Sequence, residues 1–233
     1  MGIDGGMKIV GLARAGRLAA AVGLVMAAGA GLAACGSDAE ADKGAEETFV
    51  GAGKVCGGLF GASLAKKVEA VTADSEFFAS GTSGRDKVVE ALTDGYESGR
   101  SWATGAALCE LSPKGGGAGD GAKIKFSMYA PQDVKDPRAD AGTVFYTMGK
   151  RSEARATGAS LYLECVSPQL KGSEAQPLRI YGSFTVGESD APDTPETRDA
   201  NLEILHTGAL SVVKELGCEN NAGLPESPDL TPK

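Results

Sequence analysis

Apolar residues recur every three or four positions in three stretches of the chain, a spacing that places them on one face of an α-helix. These residues are Leu64, Val68 and Val71; Val88, Val89, Leu92 and Tyr96; and Leu202, Leu205, Ala209, Val213 and Leu216. Val55, Leu59 and Phe60 indicate a further short helix around Cys56. The sequence therefore predicts several N-terminal helices and one long C-terminal helix.

Residues at the ends of these stretches support the helix predictions. Ser83 precedes the second stretch and has Asp86 three positions later, which is the spacing of a capping box. Thr194 is a predicted N-cap followed by Pro195, whose missing N–H costs nothing at the first helical position. Gly217 is suited to end the long helix.

From about residue 104 to residue 186 apolar residues alternate with polar ones, which is typical of β-strands. The alternating sets are Ala107, Cys109 and Leu111; Ile124, Phe126 and Met128; Leu161, Leu163 and Cys165; and Leu178, Ile180, Phe184 and Val186, with a further candidate strand at 144–147. No helical pattern separates them, so antiparallel pairing is expected. The predicted fold class is α+β, an antiparallel sheet of four to five strands packed by N-terminal helices and a long C-terminal helix, with two disulfides.

The N-terminal region has the parts of a secretory signal peptide. Lys8, Arg14 and Arg17 stand against one acidic residue, and residues 18–34 carry no charge. This apolar run is short and rich in Ala and Gly, which favours a cleaved signal over a membrane span. Residues 1–34 are therefore predicted to be a signal peptide.

The apolar run ends in Leu32-Ala33-Ala34-Cys35, which resembles the lipobox of bacterial lipoproteins. The resemblance implies that Cys35 is diacylglycerylated and becomes the mature N-terminus, so that the protein is anchored to the cell membrane on its extracytoplasmic side. The alternatives are an ordinary cleaved signal with an incidental cysteine and a retained anchor helix. The start site is open between Met1 and Met7.

The rest of the chain divides by composition. Residues 36–48 contain no large apolar side chain, so the segment 35–50, beginning with the lipidated cysteine, is predicted to be a flexible tether. Residues 51–220 are the predicted globular domain. Residues 221–233 contain three prolines and no aromatic residue, and they are predicted to be a disordered tail.

Four cysteines follow Cys35, namely Cys56, Cys109, Cys165 and Cys218. An even number in an exported domain indicates two disulfides, for which three pairings exist. The pairing Cys56–Cys109 with Cys165–Cys218 is favoured, because each bridge then joins an early element to a later one within one half of the domain. A zinc site is disfavoured because no C-x-x-C pair occurs.

The chain also resembles the uncharacterised exported lipoproteins of actinobacteria. The resemblance lies in the lipobox, the acidic tether, the motif Cys56-Gly57-Gly58-Leu59 and the closing Leu216-Gly217-Cys218. It implies export and lipid anchoring without assigning an activity.

The chain is acidic, with a formal net charge of −8. Removal of residues 1–34 takes away three basic residues and one acidic residue, which gives a mature net charge of −10. This charge argues against binding to nucleic acid, which requires clustered Lys and Arg. The expected partners are the membrane, through the N-terminal lipid, and an unidentified envelope ligand or protein.

The sequence predicts no catalytic set, no metal site and no cofactor. The single histidine, His206, lies at the edge of the apolar face of the long helix and is interpreted as a packed helix residue. The glycine-rich run 115–121 lacks the Gly-Lys-Ser/Thr of a phosphate-binding loop, so a hairpin loop is predicted there. The acidic residues of the central loops lack the order of an EF-hand; they are Asp120, Asp133, Asp136 and Asp140.

The aromatic side chains are the remaining candidates for a ligand surface, although aromatic residues at strand and helix positions more often belong to a core. They are Trp102, Tyr96, Tyr129, Tyr146, Tyr162 and Tyr181. The leading hypothesis is a membrane-anchored extracytoplasmic lipoprotein that acts as a ligand- or protein-binding module and is not an enzyme. The alternatives are an envelope hydrolase with an unrecognised site and a structural accessory subunit of an envelope complex.

Overall fold

The computed structural model describes residues 48–79, 84–117, 119–135, 141–187 and 191–233. These residues form an α+β fold with three α-helices, a six-stranded antiparallel sheet and a small two-stranded sheet. The predicted fold class is confirmed, and the strand count is higher than the expected four to five. The predicted signal peptide, Cys35 and the tether up to residue 47 lie outside the described residues.

The three α-helices occur where the apolar spacing predicts them, at α1 (Ala62–Thr72), α2 (Arg85–Glu97) and α3 (Pro195–Glu215). The Thr194 hydroxyl caps α3 by accepting a hydrogen bond from the Thr197 N–H at 3.3 Å. Gly217 follows α3 with a φ of +64°, a left-handed conformation that ends the helix. No helix in the described part of the chain is long and apolar enough to cross a membrane.

Two predicted helix features differ in the structure. The region around Cys56 forms two short 3₁₀ turns, Ala52–Lys54 and Cys56–Gly58, because Cys56 and Gly57 have positive φ angles that interrupt a helix. Gly84 is the N-cap residue of α2 and makes no side-chain capping bond. The predicted cap, Ser83, lies outside the described residues.

The large sheet has the strand order β3-β4-β8-β7-β6-β5, and every neighbouring pair is antiparallel. Its strands are β3 (Ala103–Leu111), β4 (Ala122–Met128), β5 (Val144–Tyr146), β6 (Arg151–Arg155), β7 (Gly158–Cys165) and β8 (Leu178–Val186). The glycine-rich run 115–121 connects β3 to β4, as the predicted hairpin loop requires. The connection from β4 to β5 crosses the width of three strands.

The small sheet pairs β1 (Phe49–Val50) with β2 (Phe77–Phe78), and the Phe49 and Phe78 rings are 4.7 Å apart. This pairing corrects the predicted tether 35–50, since its last two residues belong to the folded domain. Phe49 and Val50 are partly buried because β2 provides the partner strand.

Strand β6 is the main element that the sequence pattern missed. Its inward-facing side chains are Ser152 and Ala154, which carry no strong apolar signal. The buried Ser152 hydroxyl donates a hydrogen bond to the Tyr146 carbonyl at 2.9 Å and accepts one from the Met148 N–H at 3.2 Å. A polar residue is therefore accommodated at a core position by the turn between β5 and β6.

The large sheet has an inner face covered by helices and an outer face without a covering helix among the described residues. α2 packs mainly on β3 and β4, α3 packs on β6, β7 and β8, and α1 packs on α3. The inner side chains form the core and include Ile124, Phe126, Leu161, Leu163, Ile180 and Phe184. In β3 the alternation is broken, because an irregularity between Ala107 and Cys109 brings both Leu108 and Cys109 inward.

The structure contains the favoured disulfide pairing. Cys56 is bonded to Cys109, which ties the N-terminal turns to β3, with the Cα atoms 5.5 Å apart. Cys165 is bonded to Cys218, which ties the end of β7 to the chain just beyond α3. Each bridge therefore joins the sheet to a segment outside it.

The C-terminal segment 221–233 is packed on the domain, which corrects the prediction of a disordered tail. Leu224 is only 3% exposed and belongs to the core cluster. Further along the segment, the Asp229 N–H contacts the Met148 sulfur at 3.3 Å. The segment is therefore ordered by contacts with the sheet and its turns rather than by any secondary-structure propensity of its own.

The end of this segment lies beside the edge strand β5. The Lys233 N–H donates to the Phe145 carbonyl at 2.9 Å, and an antiparallel bridge pairs Tyr146 with Pro232. Proline is tolerated at the edge of a sheet, where its missing N–H is not needed by a further strand. The prolines of the segment are thus compatible with its packing.

Candidate functional site: the outer face of the sheet

The outer face carries a group of aromatic and charged side chains that no α-helix of the described residues covers. Strand register places Ser127, Tyr181, Tyr162 and Arg151 in one row across β4, β8, β7 and β6. Successive side chains of a strand point to opposite faces, so this row lies opposite the core. The term "outer face" is used below for this side of the sheet.

Three tyrosines form a cluster on the outer face. The Tyr129 and Tyr162 rings meet edge to face with centroids 5.2 Å apart, and the Tyr162 and Tyr181 rings are 4.9 Å apart. The Arg151 guanidinium lies 5.3 Å from the ring centroids of both Tyr162 and Phe145. Arg151 therefore links the cluster to the edge strand β5 through cation–π contacts.

The chain that follows β4 packs over one end of this cluster. The Arg179 Nε donates a hydrogen bond to the Tyr129 carbonyl at 3.2 Å, and an Arg151 Nη1 reaches the Asp133 carbonyl at 3.5 Å. Tyr129 is consequently only 3% exposed. Its hydroxyl has no hydrogen-bond partner within the described part of the chain.

Burial makes Tyr129 and Tyr162 hard to ionise. Burial raises the pKa of Tyr129 to about 12, and the nearby Glu164 carboxylate acts in the same direction. Burial likewise raises the pKa of Tyr162 to about 12, with smaller contributions from Tyr181 and Glu153. Both hydroxyls are therefore neutral hydrogen-bonding groups at any physiological pH.

A cleft of about 220 Å³ opens beside the tyrosine cluster, over β6, β7 and β8. Register places Glu153, Ser160 and Ser183 side by side across these three strands. Their neighbours in the next row are Gly158 and Thr185. On β7 and β8 the side chains of these two rows are small, which leaves a depression beside the longer Glu153 and Arg155 of β6. The bulkier tyrosine row forms its wall.

Gly158 is required at the floor of this cleft. Its φ is +149°, and a Cβ atom at this position would lie 2.1 Å from the Phe184 carbonyl oxygen. Neither condition is compatible with another residue. The close approach of β7 and β8 therefore keeps the floor free of a side chain at this point.

The polar groups of the cleft are held in defined positions. Arg151 donates from Nε and Nη2 to the same oxygen of Glu153, Oε2, at 2.9 and 2.6 Å. The Ser160 and Tyr181 hydroxyls are 3.2 Å apart. Ser183 lies opposite Ser160 in the ladder and directs a hydroxyl into the same cleft. The arrangement can bind a small polar molecule by hydrogen bonds.

A second, larger groove lies between α1 and α3, with a volume of about 650 Å³. Its floor includes Val71, Ala200 and Leu230, and charged side chains form its rim. Across this groove Lys67 donates to the Glu203 carboxylate at 2.5 Å. The groove is suited to apolar groups and lies on the helical side of the sheet, away from the tyrosine cluster.

The single histidine lies in the core. His206 is 2% exposed, and its Nε2 is 2.9 Å from the Pro225 carbonyl oxygen, to which the neutral ring donates. Burial lowers the pKa of His206, and this effect exceeds the opposing effects of Pro225, Glu226 and Glu203. The structure thus places this side chain as the sequence interpretation expects, packed within a helix face.

The remaining aromatic candidates lie apart from the outer cluster. Trp102 is 61% exposed at the start of β3. The Tyr96 hydroxyl on α2 donates towards the Lys171 and Gln176 carbonyls, and the Tyr146 hydroxyl donates to the Asp199 carboxylate at 3.0 Å. Burial raises the pKa of Tyr146 to about 12, and the hydrogen bond to Asp199 is the second-largest cause.

The acidic residues weighed as calcium ligands serve local turns where they are described. An oxygen of Asp120 accepts the Gly117 N–H at 2.6 Å, and one of Asp133 accepts the Ala130 N–H at 2.8 Å. Asp136 and Asp140 lie outside the described residues. Within the described ranges no group of three or more His, Cys, Asp or Glu side chains is arranged to hold a metal ion.

Sequence reasoning identified the tyrosines but missed Glu153, Ser160, Ser183 and Arg151 as members of one site. Each is an ordinary polar residue on its own, and the three strands involved are brought together only by the sheet order. The alternation on β7 and β8 does place Ser160 and Ser183 on the polar side, which was the available signal. No protein-family model, curated protein or solved structure matches the chain.

Proposed function

We propose that this protein is a lipid-anchored, extracytoplasmic binding protein that holds its ligand on the outer face of the sheet. Cys35 carries the lipid, and the folded domain from about residue 48 presents the outer face to the exterior. The tyrosine cluster and the adjoining cleft are the observation that carries the binding part of the proposal.

The anchoring part rests on the motif Leu32-Ala33-Ala34-Cys35 and on the basic and apolar segments before it. The two disulfides support an extracytoplasmic location, because such bonds persist mainly in oxidising compartments. Two or three acyl chains hold a protein firmly at a membrane, since each buried methylene contributes about 0.8 kcal/mol.

The binding part rests on the character of the outer face. Besides charged side chains, this face has aromatic rings packed together beside a cleft. Tyr181 and Arg151 connect the rings to the polar cleft groups. Ligand sites combine apolar surface with a few positioned polar groups, and this face has both.

Membrane anchoring is tested by expressing the chain in a bacterium with Cys35 and with the Cys35→Ser substitution. We expect the unsubstituted protein to enter the detergent phase on partition and to carry the added mass of acyl chains at Cys35. The Cys35→Ser variant should stay in the aqueous phase or retain residues 1–34. An aqueous, unmodified protein with intact Cys35 would overturn the anchoring part.

Ligand binding is tested by a thermal-shift screen with metals, sugars, lipids, peptidoglycan fragments and peptides. A ligand present at about 100 times its dissociation constant stabilises the fold by about 2.7 kcal/mol. We expect the shift to be lost in Tyr181→Ala and retained in Ala70→Trp, which fills the groove between α1 and α3. Loss in Ala70→Trp alone would assign binding to that groove and overturn the outer-face proposal.

A further inference from the structure

We infer that the cleft beside Tyr181 is a saccharide subsite that accepts one neutral hexose ring, either free or at the end of a glycan chain. This inference rests on the proposed function and names the class of ligand for the same face. It is carried by the shape of the cleft, its hydrogen-bonding groups and its balance of charge.

The shape of the cleft suits one small ring. Its volume is about 220 Å³. This is smaller than the roughly 300–1,000 Å³ of sites for drug-sized ligands. The cleft is open on its outer side, so a sugar at the end of a longer chain can enter.

The hydrogen-bonding groups suit a ligand that bears hydroxyls around a ring. The Ser160, Ser183 and Tyr181 hydroxyls can each donate and accept, as sugar hydroxyls do. The described residues provide a partner for Oε2 of Glu153 in Arg151 and none for Oε1. That second oxygen is available to accept a charge-assisted hydrogen bond from a ligand hydroxyl.

The spacing of these groups comes from the sheet itself. Glu153, Ser160 and Ser183 stand on three adjacent strands, whose separation in a β-sheet is about 4.8 Å. A ligand that lies flat across the strands therefore meets a polar group at each strand in turn. The Tyr181 ring, held from behind by Tyr162, supplies an apolar wall for the C–H groups of a sugar.

The charges of the cleft favour a neutral ligand. Glu153 and Arg155 are the charged residues that line it. The Glu153 carboxylate is ion-paired with Arg151 at 2.6 Å, and Arg155 is exposed to solvent. Neither an anionic nor a cationic ligand would find a buried, uncompensated charge there, whereas neutral hydroxyl groups lose little in exchanging water for these partners.

The test is saturation-transfer-difference NMR and calorimetry on the full chain, purified in a detergent without a sugar headgroup. The probes are glucose, galactose, mannose, N-acetylglucosamine and a short oligosaccharide of each, with cyclohexanol as a ring without the additional hydroxyls. We expect at least one saccharide to bind and cyclohexanol to give no signal. Equal affinity for the free sugar and the oligosaccharide would indicate that only the terminal ring is held.

Two variants locate the binding. Glu153→Gln removes the charged acceptor and should weaken the affinity at least tenfold, while Ser183→Val fills the cleft with a residue suited to a strand and should abolish binding. Glu110→Gln is the matched control, because Glu110 is an ion-paired carboxylate on the same sheet outside the cleft. Circular dichroism and the melting temperature establish that each variant is folded.

The outcomes separate this inference from the proposed function. The saccharide inference would be overturned if no saccharide gave a binding signal, or if binding were unchanged in both cleft variants. If the saccharide inference failed but a non-sugar ligand gave a thermal shift that depends on Tyr181, the proposed binding role of the outer face would still be supported. Saccharide binding by a protein whose Cys35 is unmodified would support the subsite and overturn only the anchoring.

Discussion

Cys165 and Cys218 are joined by a disulfide that connects the last residue of β7 to the third residue after α3, with Cα atoms 5.1 Å apart. Two backbone bonds flank the bridge: Cys218 N–H donates to the Val213 carbonyl at 2.9 Å, and Glu219 N–H donates to the Val166 carbonyl at 2.8 Å. The end of the long helix is thereby held to the sheet, and the C-terminal segment begins from a fixed point.

The two disulfides provide a controlled comparison, because both close loops with a sequence separation of 53. The chain-entropy model predicts a loss of about 4 kcal/mol for removing either one. We expect the Cys56→Ala/Cys109→Ala and Cys165→Ala/Cys218→Ala variants to lose similar free energies of unfolding in urea titrations. A melting temperature that is the same in oxidising and reducing buffer would contradict a stabilising role for both bridges.

The C-terminal segment is expected to contribute to stability. Leu224→Ala removes a buried side chain and should lower the free energy of unfolding by about 2–3 kcal/mol. Ser227→Ala, at an exposed position of the same segment, should change it by less than about 0.5 kcal/mol. Chemical denaturation of both variants measures the difference, and equal stabilities would mean that the segment is not packed in solution.

The buried histidine predicts a loss of stability in mild acid. Because burial lowers the pKa of His206 below 6.5 in the folded protein, the unfolded chain binds a proton that the folded chain does not. This group's contribution is therefore fully present above pH 6.5 and declines as the pH falls below it.

The single histidine makes the measurement direct. Its ring-proton NMR resonance should titrate with a midpoint below 6.5 in the folded protein. The His206→Gln variant lacks the titrating ring. Its free energy of unfolding should therefore fall less between about pH 7 and pH 5.5 than that of the unsubstituted protein. A midpoint at or above 6.5 would contradict the buried, neutral ring.

Three of the five tyrosines should resist ionisation in alkali. Burial raises the pKa values of Tyr129, Tyr146 and Tyr162 from 10.0 to about 12. Since the neutral form is favoured in the fold, their contribution to stability is complete below pH 10 and is lost as the pH rises towards 12. Near-ultraviolet absorbance should show three tyrosinates forming late, and one fewer in Tyr129→Phe.

The control is the same titration in denaturant, where all five tyrosines should ionise together near pH 10. Circular dichroism must show that the protein is still folded in the range compared. Ionisation of all five near pH 10 in the folded protein would be evidence against the packed cluster on the outer face.

Much of the framework could be predicted because its causes are local. The apolar stripe of α3, the Thr194 cap and the alternation in β4, β7 and β8 all follow from residues that are near each other in sequence. The disulfide pairing followed from the order of the elements. Strand β6 and the packing of the C-terminal segment were missed because both have few strongly apolar inward residues, and the role of a residue such as Ser152 depends on distant partners.

The amino-acid sequence by itself indicated the three α-helices and the main strands, favoured the pairing of Cys56 with Cys109 and of Cys165 with Cys218 among three possibilities, and gave the expectation of a lipid-anchored N-terminus. Only the tertiary structure decided which polar residues meet on the outer face. Glu153, Ser160 and Ser183 come together because β6, β7 and β8 are neighbours in register. Strand order and register are set by the packing of the whole inner face against the helices, so no local sequence pattern specifies them.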